Sequence, residues 1–392
     1  MKRRQWLRWG CAQCAVFGGL AAAQDREWAM PPRFTRPEVA SDEGGLWALM
    51  DREETRLRRS PFRLRDEALN AYLTGIACKL AAEHCVDIRV YPIRTPYFNA
   101  NMAPNGMMQI WSGLLLRVEN EAQLAGVIGH ELGHFLQRHS VERLRDIKSR
   151  AAFGTFIAMF GLVGLVGQMA AIAGALAFSR EHEREADKIS IQLLQKTDYD
   201  PREVAKVWAN LLDELKANPE ADPSKNSVLF ATHPPSDERR AALDELAKGS
   251  SGQTYEREFQ ARLAPFRFDL LDDELKRGRL NESVVLLDRL VARAPGDAVL
   301  LHFRGEARRR RAADGDAALA LTDLNAALAL TDLNAALQTG QAPAVTHRSL
   351  GHLHKTNGHL DAAGAAWRQY LELAPDAADA ALIKQSLQEL NP

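Results

Sequence analysis

The sequence predicts a mainly α-helical chain, with helices around a small sheet in the first two thirds and an array of short helices in the last third. Three patterns predict it. Glu121 to about Ile147 carries Leu124, Val127, Ile128, Leu132, Phe135 and Leu136 on one stripe, the spacing of an amphipathic helix. Val86–Ile93 and Met107–Trp111 read as short strands, the second entered through a Pro104-Asn105-Gly106 turn. From about Thr254 the chain turns to alanine- and leucine-rich helices with recurring positions. At 392 residues it has room for two or three domains.

Residues 1–23 read as a signal peptide. Lys2, Arg3, Arg4 and Arg8 precede an apolar run from Gly10 to Leu20, and Ala21-Ala22-Ala23 offers a small-residue cleavage site. Arg3-Arg4 also fits a twin-arginine export signal, so the expected address is the periplasm by either route. The formal charge is −1; without those four basic residues it is −5, and nothing in the remaining composition points to a nucleic-acid partner. Cys78 and Cys85 are a disulfide candidate in an oxidising compartment, provided the helix from Asp66 to about Ala82 ends near Leu80–Glu83. Otherwise they are two free thiols.

Residues 24–60 read as a leader wrapping the core, with one helix from Leu46 to Arg58. The Met107–Trp111 strand is a candidate rim of a cleft, where an extended substrate would add to its edge. Ala151–Phe178 is long enough to span a bilayer and has no charge. A single span would separate His134 from the acidic cluster that follows. It therefore reads as a helical hairpin broken near Gly161, Gly164 and Gly167, packed on the core or touching a membrane peripherally.

His130-Glu131-Leu132-Gly133-His134 is an HExxH motif. On a helix its histidines lie one turn apart on one face and can hold one zinc ion, with Glu131 beside them as general base. Gly126, Gly129 and Gly133, with Ala122, form a second stripe. Each glycine costs about 1 kcal/mol in a helix, so another backbone is expected close by. Downstream, Ser179-Arg180-Glu181-His182-Glu183-Arg184-Glu185-Ala186-Asp187 offers a third ligand. Glu183 and Asp187 share a face, but Glu181, His182 and Glu185 compete by chemistry alone. A histidine six residues beyond His134, the pattern of another zinc-protease class, is absent: position 140 is Ser140, and His139 falls one short.

Together these motifs resemble the HtpX/BepA-like gluzincin metallopeptidases over about residues 60–245. Asn99-Ala100 with Pro104-Asn105-Gly106, and Thr232-His233-Pro234-Pro235 with Arg239, fit the same family, although Asn101 replaces a usual apolar residue. The resemblance implies an α+β zincin-type metallopeptidase domain over 61–250. It implies His130, His134 and Glu183 as ligands of one zinc ion per chain, with Glu131 as the catalytic general base and Asp187 as the supporting acid of the catalytic site. It also implies His233 as a removable fourth ligand, with Arg239 supporting that loop.

Over 254–392 a tetratricopeptide-repeat domain is expected. Leu271 and Gly305 are 34 apart at equivalent positions, Gly351 follows, and Ala294-Pro295 and Ala374-Pro375 close repeats. A tandem duplication, Leu321–Ala329 and Leu330–Gln338, lengthens the second repeat. Nine residues turn a helix face by about half a revolution, so the second copy must extend outward, break, or expose its leucines. The expected function is a periplasmic zinc metalloendopeptidase in envelope and outer-membrane protein quality control. Its substrates would be unfolded or misassembled envelope proteins, and its repeats would bind clients or the outer-membrane assembly machinery. The rival expectation is a repeat-based chaperone or assembly factor whose protease centre is gated or silent.

Overall fold

The computed structural model describes residues 28–149, 178–218, 233, 236–335 and 342–390. The signal segment 1–23, residues 151–177 of the apolar segment, the residues flanking His233 and the end of the duplication lie outside them. The chain divides into two units, Met1–Pro31 and Pro32–Pro392. Residues 28–31 of the first have no regular secondary structure.

The second unit begins with α1 (Asp42–Arg59), capped by the Ser41 hydroxyl on the Gly44 N–H. It starts four residues earlier than the hydrophobic pattern predicts, because the cap and the acidic Asp42-Glu43 turn suit a helix N-terminus. Its Glu54 is buried and receives Arg89 Nε at 2.6 Å, Arg89 Nη2 at 2.7 Å and the Tyr91 hydroxyl at 2.6 Å. Burial alone would raise this carboxyl; hydrogen bonds from Arg89 and Tyr91 hold it at about 2. The leader is thereby pinned to the sheet.

Helix α2 (Glu67–Ala81) ends where the bridge requires. Ala82 takes φ 47, the chain turns into a 3-10 segment (Ala82–Asp87), and Cys78 and Cys85 are bonded with Cα atoms 4.6 Å apart. This segment shortens the expected Val86–Ile93 strand to β1 (Arg89–Ile93). β2 (Ala100–Met102) and β3 (Met107–Trp111) complete a sheet of order β1-β3-β2, parallel between β1 and β3 and antiparallel between β2 and β3. Gly106, with φ +85, makes the turn, and a Cβ there would meet the Asp87 carbonyl oxygen at 2.0 Å. One expectation is corrected here: Met107–Trp111 is the central, fully buried strand and has no free edge. The edge strand on the motif's side is β2.

Then follow α3 (Ser112–Arg117) and α4 (Glu121–Leu136), the latter capped by Asn120 and buried at every residue. The expected single helix to Ile147 is in fact two. Arg138 adopts φ 58, and α5 (His139–Ser149) starts in a new direction. α6 (Arg180–Gln195) packs along α4, followed by α7 (Glu203–Lys216) and α8 (Asp237–Leu246).

The last third comprises α9 (Glu256–Leu263), α10 (Arg267–Lys276), α11 (Leu280–Arg293), α12 (Ala298–Arg311), α13 (Asp316–Ala335), α14 (Val345–Thr356), α15 (Leu360–Leu373) and α16 (Ala380–Leu390). From α10 to α15 they pair as hairpins. Gly305 of α12 lets Leu324 of α13 approach, and Gly351 of α14 lets the Trp367 indole approach. α13 runs through the first duplicate copy, with Leu324 buried, and continues as helix into the second as far as Ala335. Among the described residues no helix is long and apolar enough to cross a membrane.

Within the second unit, a buried ion network joins the helices around the sheet to those of the last third. Arg117 of α3 reaches Glu214 of α7 at 2.8 Å and Glu274 of α10 at 2.9 Å, and Arg289 of α11 reaches the other Glu214 oxygen at 2.9 Å. Removing Arg117 takes a buried counter-charge from both carboxylates, leaving Glu214 with Arg289 and Glu274 with Arg277 in low dielectric. Arg117→Met is therefore expected to cost about 3–5 kcal/mol, read from urea unfolding by circular dichroism. The surface change Lys216→Met, on an exposed i,i+3 pair with Asp213, is expected to cost less than about 1 kcal/mol.

Candidate metal centre

The helix α4 places His130 and His134 one turn apart, and α6 brings Glu183 and Asp187 to meet them. What lets the two helices close is the glycine stripe. A Cβ at Gly133 would lie 2.9 Å from Ala186 Cα, one at Gly129 would lie 3.0 Å from Ser190 Oγ, and one at Gly126 would strike Val204 at 2.7 Å. Ser190 Oγ donates to the Gly126 carbonyl at 2.7 Å, using a helix oxygen that larger residues would cover. The close backbone expected from the stripe is that of α6.

His130, His134, Glu183 and His233 each offer a donor atom, all within 4.8 Å of one another and all buried. His130 Nε2 lies 3.1 Å from His134 Nε2, 3.3 Å from His233 Nδ1 and 3.5 Å from Glu183 Oε2. His134 Nε2 lies 3.3 Å from Glu183 Oε1. Four nitrogen and oxygen donors held about 2 Å from one tetrahedral cation are about 3.3 Å apart, so these separations fit such an ion. His233 Nδ1 to Glu183 Oε1 is tighter, at 2.7 Å.

Charge gives the same answer. Glu131, Glu183 and Asp187 are buried with a single guanidinium, Arg239, a formal sum of −2 that a divalent cation balances. The Glu131 Oε1 atom has no hydrogen-bond partner among the described residues, and Glu183 Oε2 makes only the ion-pair contacts with Arg239 and His130. Burial and Arg239 both act to lower the His130 imidazolium, yet Asp187 and Glu183 reverse this and draw it up to about 9. Burial drives His134 well below its ordinary value, toward the neutral form that ligates.

Asp187 stands behind His130, with Oδ1 2.9 Å from Nδ1. Arg239, in the first turn of α8, holds Asp187 bidentately, Nε to Oδ2 at 2.6 Å and Nη2 to Oδ1 at 2.7 Å. Its Nη1 lies 2.9 Å from Glu183 Oε2, and its guanidinium sits 4.0 Å over the Trp208 ring of α7. Burial would raise the Asp187 carboxyl, but Arg239 and His130 hold it below the usual range. Glu131 differs: burial raises its carboxyl, with His233 and His130 opposing and the Met102 backbone of β2 adding a hydrogen bond. Its Oε1 lies 3.8 Å from His233 Nε2.

Three residues of the site carry no motif signal. Phe178 stacks on His134 at 3.8 Å and 19°. Trp208 packs edge-on to His130 at 6.5 Å. His139 Nδ1 lies 2.9 Å from His134 Nδ1. Among the rivals for the third ligand, Glu185 faces His139 instead of the cluster, His182 stacks on His139 at 4.3 Å, and Glu181 is exposed.

Residues 63–247 match Peptidase family M48. The chain is 26% identical over 245 residues to the beta-barrel assembly-enhancing protease of Yersinia pestis, covering 57% of this chain and 49% of that protein. It is 31% identical over 171 residues to the metalloprotease YcaL of Escherichia coli, 42% of this chain and 63% of the relative. Over 122 residues it is 36% identical to the Arabidopsis thaliana mitochondrial metalloendopeptidase OMA1, 31% of this chain and 25% of the relative. The chain thus spans about half the length of the first relative.

The packing at Gly133 yields a paired test. Gly133→Ala gains helix propensity but forces α4 from α6, with an expected net loss of about 1–3 kcal/mol and weaker metal binding. Gly75→Ala, on the exposed face of α2 with nothing near its Cβ, is expected to stabilise by about 0.5–1 kcal/mol. Thermal melts of both variants check the pair.

Proposed function

Because the chain carries a peptidase family M48 domain over residues 63–247, we propose that it is a zinc metalloendopeptidase. The observation that carries this is the buried His130, His134, Glu183 and His233 cluster with Glu131 beside it. In this reading His130, His134 and Glu183 hold one zinc ion per chain, and His233 occupies a fourth, exchangeable position. The ion, when bound, supplies Lewis acidity that acidifies water and polarises a peptide carbonyl. Glu131 accepts the proton of the attacking water and passes it to the leaving amine. Its burial suits this work, since a carboxyl raised toward neutrality can both take and give a proton. Asp187, gripped by Arg239, fixes the His130 tautomer with its Nε2 lone pair toward the ion.

The biological setting is proposed on the relatives' names and the sequence. Export through residues 1–23 would place the protease in the periplasm. Relatives named as beta-barrel assembly-enhancing proteases support clients among outer-membrane proteins. The hairpins from α10 to α15 are read as tetratricopeptide repeats that bind those clients or the assembly machinery. A second reading rests on one contact: His233 Nδ1 is 2.7 Å from Glu183 Oε1. A protein that keeps this histidine in place would act mainly as an assembly factor with a gated centre.

The test is metal content and casein cleavage by the purified protein, alongside Glu131→Gln and His233→Ala. One zinc per chain is expected, with cleavage reduced at least about 100-fold in Glu131→Gln and increased in His233→Ala. Activity lost in His233→Ala would make His233 a catalytic helper. A folded wild-type protein without zinc would overturn the enzyme reading.

A further inference from the structure

His134 is backed by a second relay that no motif announces. Its Nε2 faces the other donors, 3.1 Å from His130 Nε2 and 3.3 Å from Glu183 Oε1. If Nε2 offers its lone pair to a metal, a neutral imidazole must carry its proton on Nδ1. That Nδ1 lies 2.9 Å from His139 Nδ1. Two ring nitrogens share one proton in such a contact, so His139 Nδ1 must accept. Its own proton then sits on Nε2, which points to Glu185 Oε2 at 3.3 Å. The Gln137 side-chain amide donates to the other Glu185 oxygen. The tautomers are thus fixed along Glu185, His139 and His134, with no nitrogen left facing another lone pair.

The backbone is bent to make this contact. Arg138 adopts φ 58, a left-handed conformation costly for a residue with a Cβ. On a continuous helix His139 would sit about 140° around the axis from His134. The turn at Arg138 brings it back against the ring. His182 of α6 stacks on His139 at 4.3 Å and 17°, and its Nε2 lies 3.3 Å from Glu142 Oε2, which holds the ring plane from the other side. His139 is itself 1% exposed.

We propose that His139 is a positioning residue of the metal centre, the counterpart for His134 of what Asp187 is for His130. The proposal rests on the metal-centre reading. It predicts an asymmetric pair of supports. His130 is backed by a carboxylate clamped by arginine, an anionic partner that strengthens the ligand's basicity. His134 is backed by a neutral imidazole that orients it without adding charge to a pocket already at −2.

The test is zinc affinity of the purified full chain, by competition with a chromophoric chelator, together with the melting temperature of the zinc-free protein. His139→Ala is expected to weaken zinc binding roughly 10- to 100-fold with little change in the zinc-free melt. His139→Gln, which keeps an oxygen able to accept from Nδ1–H, is expected to recover most of that loss. Glu185→Ala is expected to weaken binding less. Wild-type affinity in His139→Ala overturns the proposal, as does a His139→Gln loss equal to that of His139→Ala. A wild-type chain that binds no zinc defeats the underlying reading instead. Should His139→Ala fail to fold, nitrogen NMR of the zinc-loaded wild type decides: protons on His134 Nδ1 and His139 Nε2 support the relay, and the opposite His139 tautomer overturns it.

Discussion

Everything at the centre depends on how closely α4 and α6 approach at Gly133 and Ala186. The two histidines ride on one helix and the two acids on the other. A pocket with donors about 3 Å apart requires the helix axes to be nearer than side chains usually permit. The missing Cβ atoms at Gly129 and Gly133 make that possible, and the one missing at Gly126 makes room for Val204 of α7. Three glycines weaken α4 as an isolated helix by about 3 kcal/mol in sum. Burial of every α4 residue compensates, since apolar Leu124, Ile128 and Leu132 are fully enclosed. The helix exists because of its neighbours, and the site exists because the helix tolerates them so near.

Bringing those helices together concentrates charge that the fold must then balance. Arg239 is the only described cation inside the cluster, and it is used three times: on Asp187, on Glu183 and over Trp208. Trp208 belongs to α7, whose Glu214 is held by Arg117 and Arg289. One helix therefore carries both a wall of the metal centre and a buried ion pair with the helices of the last third. Separating the helices of the last third from the core would take Arg289 from Glu214 and Arg117 from Glu274, leaving each carboxylate with one arginine, Arg117 and Arg277 respectively, at a cost in buried charge pairing. The two parts are joined by polar contacts that specify one arrangement, where an apolar interface would tolerate sliding.

Much of this was legible in the sequence, in proportion to how local each signal is. The HExxH pair, the glycine stripe, the end of α2 and the turn at Gly106 follow from spacing and residue chemistry within one or two helical turns. The Cys78–Cys85 bond was a candidate on the same local argument, with two free thiols as the alternative, and the end of α2 at Ala81 admits it. Glu183 was separable from Glu181 and Glu185 only through family resemblance, because all three suit a metal by chemistry and only the packing of α6 decides which faces inward. The break at Arg138 was not legible. Gln137 and Arg138 are ordinary helix formers, and the left-handed turn is imposed by the contacts of α5. That is why His139 read as a near miss for a metal ligand when it sits one shell behind one. The position of β3 in the sheet was equally hidden, since alternation reveals a strand but not its neighbours.

The four donors are not held alike, and the difference bears on which one is exchangeable. His130, His134 and Glu183 sit within helices, and each has a partner outside the donor set: Asp187, His139 and Arg239 respectively. The described polar contacts of His233 are with His130, Glu183 and Glu131, all members of the cluster itself. Its ring is neighboured by Phe178 at 5.5 Å, an apolar contact without direction. Moving a donor that has such a partner breaks a buried polar contact outside the donor set, a cost of about 1–3 kcal/mol. The described contacts that withdrawing His233 would break all lie within the cluster. On the proposed reading, this difference among the described contacts is what would make His233 the donor exchanged for a water or a peptide carbonyl.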